Sequence, residues 1–72
     1  MVKVIYLKKG QRRPRNEKTV LIDCRPNRRQ EAIEQSAAGV TMWIRTGDLE
    51  KTIAGLAQKG VKKIHVRSHG DA

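Results

Sequence analysis

The segment Cys24-Arg25-Pro26-Asn27-Arg28-Arg29 holds the residue types that come nearest to a chemical device. A thiol at the end of a strand, followed by a turn and arginines, is how cysteine-dependent phosphate transfer is arranged. Backbone N–H groups and a guanidinium hold the phosphate while the thiolate attacks phosphorus. That chemistry needs a loop of set length, Cys-x5-Arg. Here position 30 is Gln, the interval from Cys24 to Arg29 is one residue short, and Pro26 removes one N–H from the cradle. Catalysis at Cys24 is therefore not expected, and the residue reads as a small apolar core side chain. His65 and His69 lie four apart, a spacing that aligns two ligands on a helix but not on a strand running into a tail. With one cysteine and scattered carboxylates, neither a metal site nor a cofactor is expected. Thr46-Gly47-Asp48 is too short for a phosphate loop, and neither a Gly-x-Gly-x-x-Gly nor a Walker sequence occurs.

What remains is charge. Sixteen Lys and Arg oppose seven Asp and Glu, a net charge of +9 on 72 residues. A field of that sign draws a protein towards phosphates, anionic lipid or acidic protein surfaces. The lone thiol rules out a disulfide framework and suits a reducing compartment, so a cytoplasmic location is expected. No transmembrane stretch is visible, and Met1 runs directly into a strand pattern rather than a secretory leader. Neither candidate helix is basic with a broad apolar face, so no membrane partner is expected.

The elements that must position these charges follow from periodicity and punctuation. Residues 2–7 are rich in β-branched and aromatic types and predict a first strand. Residues 8–18 break the pattern with Gly, Pro and charge and are expected to form a mobile basic loop. Thr19 to Cys24 predicts a second strand. Asn27 as N-cap, with Gln30 three residues on, predicts a helix from Arg28 to Ala38 with a thin apolar stripe of Ala32, Ile33, Ser36 and Ala37, stopped by Gly39. Val40 to Arg45 predicts a third strand. Thr46 or Asp48 caps a second helix whose Leu49, Ile53, Leu56 and Ala57 share one face and which Gly60 ends. Val61 to Arg67 predicts the last strand, and 68–72 a frayed tail. The expectation is one α/β domain spanning 1–72, of order ββαβαβ: a mixed four-stranded sheet, two helices, and an N-terminal hairpin with a long basic loop.

That topology divides the charge. The carboxyl edge of the parallel strands collects Arg25, Arg28 and Arg29, then Arg45, then Arg67 and His69. Ligands of open α/β sheets bind at this edge, where helix N-termini also favour anions. These arginines are otherwise rim residues that pair with Asp23, Asp48 and Glu31. The hairpin tip carries Lys8, Lys9, Arg12, Arg13, Arg15 and Lys18 towards the opposite edge, with Lys59, Lys62 and Lys63 near it. Strand alternation places Val40, Met42 and Ile44, with Ile64 and Val66, towards the helices. It leaves Trp43, Arg45, Lys63, His65 and Arg67 on an open face that Tyr6 joins in one register. Such a face either stacks bases or, with Leu21, covers a second subunit.

The composite expectation is a small non-enzymatic nucleic-acid-binding protein, for RNA or DNA. It would be a regulatory or accessory protein of a bacterium, phage or plasmid, holding phosphates through these basic residues. It would act as a homodimer or docked on a larger complex. The rival reading is a mobile-element interaction module or inhibitor that docks on an acidic partner surface.

Overall fold

A computed structural model of the chain describes residues 1–14 and 17–69. It contains a five-stranded mixed sheet and one α-helix. The strands are β1 (Lys3–Tyr6), β2 (Thr19–Arg25), β3 (Ala32–Ser36), β4 (Gly39–Arg45) and β5 (Lys63–Ser68). A short 3-10 turn at Thr46–Asp48 leads into α1 (Leu49–Gln58). The order across the sheet is β1-β5-β2-β4-β3; the first four strands are mutually parallel and β3 is antiparallel to β4.

Two expectations are corrected. The first two strands do not form a hairpin, because β1 pairs in parallel with β5, and β5 separates it from β2. Residues 7–18 therefore form a crossover, and about a dozen residues is the length such a connection needs. The segment expected to be a helix at 28–38 is instead a turn followed by β3. Its apolar stripe was too thin to anchor a helix, whereas as a strand it completes the ladder along β4, Ala32 opposite Trp43 and Ser36 opposite Gly39. Gly39 does not stop a helix. It opens β4 at φ +119°, where a Cβ would collide with the backbone of Thr19. Only glycine lets β4 come this close to the start of β2.

The core lies between the sheet and α1. Ile22, Cys24, Ile44, Ile64 and Val66 are buried, and Leu49, Ile53 and Leu56 of α1 pack against them. Ala57, expected on the same stripe, is exposed. The alternation expected for β4 and β5 holds: Ile44, Ile64 and Val66 face the helix, and Thr41, Trp43, His65 and Arg67 face away.

That second face is not open. The Arg13 guanidinium crosses it, donating to Val40 O (2.6 Å), Thr19 O (3.3 Å) and Thr41 Oγ1 (2.9 Å). Arg67 Nη2 donates to Gln11 O at 3.3 Å. The β1–β2 connection thus takes the position a second helix would occupy. Its placement follows from handedness. The step from β1 to β2 and the step from β4 to β5 cross the sheet in opposite directions, so equal handedness puts them on opposite faces.

Candidate polyanion-binding edge

The parallel direction of β1 redistributes the charge. Lys8 and Lys9 follow the carboxyl end of β1, so they join the arginines after β2, β4 and β5 rather than opposing them. A tight turn from Lys8 to Gln11 holds them there: Gln11 N–H donates to Lys8 O, the Gln11 side-chain oxygen accepts from Lys8 N–H, and Gly10 sits at φ +82°. The carboxyl edge therefore presents Lys8, Lys9, Arg25, Arg28, Arg29, Arg45 and Arg67. Lys18 and Lys63 lie at the amino edge, where Lys63 Nζ pairs with Glu17 Oε1 at 2.8 Å. This pairing holds the Glu17 carboxyl below the usual carboxylate range. Arg12 is exposed on the connection, Arg13 is half-buried beneath it, and Arg15 lies outside the described residues.

Asp23 organises the middle of the carboxyl edge. It lies near the end of β2, is 4% exposed, and faces away from the helix beside Trp43 and Arg67 in register. Its Oδ1 lies 3.5 Å from Arg25 Nε; its Oδ2 lies 3.9 Å from Arg67 Nη1 and 3.1 Å from His69 Nε2. Backbone pairing extends one residue past β5, with His69 N–H donating to Cys24 O at 3.0 Å, which fixes the imidazole over this carboxylate. Further along, Arg45 Nε lies 3.8 Å from Asp48 Oδ2. Arg28 Nε donates to Gln30 O at 2.7 Å and shapes the turn after β2.

The strand order puts His69 between two cavities. One, of about 690 Å³, lies towards the β2–β3 connection and is lined by Arg25, Arg28 and Arg29. The other, of about 590 Å³, lies towards the end of β1 and is lined by Tyr6, Lys8, Lys9 and Arg67. Asp23 and His69 were present in the sequence as an acid and a histidine near arginines. Nothing in their spacing marked them as partners, since 46 residues separate them.

The aromatic group expected on one face is dispersed. Tyr6 pairs with Val66, so it points to the helix side of the sheet and is 63% exposed. Trp43 is half-buried on the other side, and Leu21 and His65 are buried there beneath the connection. Neither a joint stacking platform nor a joint dimer patch of Tyr6, Leu21, Trp43 and His65 is formed. Burial, then the nearby Lys63 charge, pushes the His65 imidazole below its ordinary range, and its Nδ1 has no partner among the described residues. Burial likewise pushes the Cys24 thiol up, with Asp23 adding to the effect. A thiol held protonated and inside the core is the opposite of an activated nucleophile. Among the described residues no cluster of three metal-ligating side chains occurs, and no helix is long and apolar enough to cross a membrane.

Fold and edge together define a small α/β domain with a mixed five-stranded sheet and a basic carboxyl edge. Comparison with protein-family models, curated proteins and solved structures finds no match to this chain.

Proposed function

We propose that the protein binds nucleic acid, RNA or DNA, through phosphate contacts along the carboxyl edge of its sheet. The observation that carries this reading is the convergence of Lys8, Lys9, Arg25, Arg28, Arg29, Arg45 and Arg67 on one edge of a domain with net charge +9. Two acids on that edge, Asp23 and Asp48, are engaged with Arg25, Arg67 and Arg45. Glu31 shares a small recess with Arg28, Arg29 and Arg45, and Lys8, Lys9, Arg28 and Arg29 stand outside the ion pairs of Asp23 and Asp48. Two cavities flank the middle of the edge and give a polymer room to lie against it.

The test is the salt dependence of binding to fluorescently labelled single-stranded RNA and DNA of mixed sequence, read by anisotropy. If about five phosphates are neutralised, log K falls with log salt at a slope near −3.5, from about −0.7 per phosphate on a single strand. Lys8→Gln combined with Arg29→Gln lowers that slope by about one to one and a half. Absence of binding to either polymer at low salt overturns the proposal.

A further inference from the structure

The strand order frames one part of the carboxyl edge between two connections. The connection from β1 turns onto one face of the sheet, and the chain leaving β4 enters α1 on the other. Between β1 and β4 lie β5 and β2. The two connections pass over these strands on opposite faces, so the carboxyl ends of β5 and β2 lie between them, at the sheet edge where open α/β sheets hold ligands.

Three nitrogen-bearing side chains from these strand ends meet there around one carboxylate. Arg25, Arg67 and His69 all approach Asp23, whose Oδ1 accepts no hydrogen bond among the described residues despite being buried. One carboxylate cannot balance two guanidinium groups, so the cluster carries excess positive charge with or without a proton on His69. Arg25 meets Asp23 through Nε, and its terminal Nη groups have no acceptor among the described residues. Arg67, whose Nη2 donates to Gln11 O while Nη1 lies 3.9 Å from Asp23, is held on two sides and has little side-chain freedom left to lose on meeting an anion. The more exposed Arg25 brings terminal Nη donors that are still free to orient.

The cavities say what kind of anion fits. His69 lines both, so an anion beside it has space of about 690 Å³ on one side and about 590 Å³ on the other. Both are recesses open to solvent, so they admit a polymer lying along the edge. A terminal phosphate would use one of them, whereas a phosphate with a nucleotide on either side uses both. The exposed Tyr6 ring in the smaller cavity offers a stacking face only to an unpaired base.

We propose that Arg25, Arg67 and His69, organised by Asp23, seat one internal phosphodiester of a single-stranded nucleic acid, with the two adjoining nucleotides in the flanking cavities. The proposal rests on the nucleic-acid reading above and goes further in naming strandedness and the seat.

The test is NMR on the isotope-labelled full chain with a single-stranded octanucleotide at low salt. The expected result is that the largest shifts fall on the His69 ring, the Arg25 and Arg67 side chains and the Tyr6 ring. The His65 ring, walled off beneath the β1–β2 connection, moves little and serves as an internal control. Arg67→Gln weakens binding about tenfold, as expected for a charge-assisted seat, against about two- to threefold for Arg12→Gln, which removes the same charge from an exposed position. Should Arg67→Gln fail to fold, the map on the unaltered chain still decides. Binding with shifts spread over both edges, or Arg67→Gln no worse than Arg12→Gln, overturns the seat while leaving polyanion binding intact. Equal competition by a duplex of the same length overturns the single-strand assignment. Absence of any binding removes the nucleic-acid reading itself.

Discussion

Arg13→Ala tests whether the β1–β2 connection is held to the sheet as the structure has it. The guanidinium donates to three acceptors on β2 and β4, with the bond to Val40 O at 2.6 Å and that to Thr41 Oγ1 at 2.9 Å. Hydrogen bonds from a charged donor contribute about 1.5–3 kcal/mol each when dry. Here Nη1 is shared between two carbonyls and the side chain is half-buried, so the whole contact is worth about 2 kcal/mol rather than the sum. In a domain of this size that loss lowers Tm by about 8–16 °C. Thermal scans and urea titrations followed by Trp43 fluorescence measure it. Arg12→Ala, at an exposed position on the same connection, is the control and changes stability by less than about 0.5 kcal/mol. Arg13→Lys recovers less than half of the loss, because one ammonium group cannot span the acceptors of the guanidinium fork. An Arg13→Ala protein whose Tm matches that of Arg12→Ala within about 2 °C would refute the packing of the connection.

Two further outcomes are expected. Gly39→Ala costs about 2–4 kcal/mol in the same urea titration, since φ +119° is strained for any side chain and the new Cβ meets the Thr19 backbone; a midpoint unchanged from the parent would contradict that close approach. The contribution of neutral His65 is fully present above about pH 6.5 and is lost as the pH falls below it, because His65 takes up a proton when unfolded more readily than in its buried site. The lowered Glu17 acts in the same direction at more acid pH, its contribution being present above its unfolded range and lost as the pH falls. His65→Leu should flatten the first part of that profile, measured as urea midpoint against pH.

How far the sequence could be read depends on which information was local. Alternation along Val40 to Ile44 and Ile64 to Arg67 assigned those side chains to their faces, because a strand's period of two is a local property. Arg45, at the strand end, instead turns to Asp48 and the helix side rather than joining Trp43. The stripe Leu49, Ile53, Leu56 identified α1 for the same reason. Direction and partner choice were not local. Residues 7–18 suit either a long-tipped hairpin or a short crossover, and only the arrival of β5 between β1 and β2 decides between them. The segment Ala32-Ile33-Glu34-Gln35-Ser36 is made of residues with good or neutral helix propensity, and its pairing with β4 overrode that preference. Gly39 was marked as special, though as a helix stop rather than as a point of close contact with Thr19. The arginines of the carboxyl edge and the acids that pair with them, Asp23 and Asp48, were visible. Lys8 and Lys9 were assigned to the wrong edge because the direction of β1 was wrong. Nothing in the composition of the basic loop distinguished Arg13, which reaches under the chain, from Arg12, which does not.

The place of β5 has a consequence for how the molecule comes into being. β5 is inserted between β1 and β2, and it supplies every backbone partner that β1 has within the sheet. Until residues 63–68 are available, β1 has nothing to pair with, Ile22 and Cys24 lack the neighbours that bury them, and Asp23 lacks Arg67 and His69. Closing the sheet therefore needs β5 to find partners 44 residues earlier in β2 and 60 residues earlier in β1. Distant contacts of this kind are expected to make folding slow for so short a chain. The pairing that closes the core also brings Arg67 and His69 to Asp23, so that cluster exists only once β5 is in place.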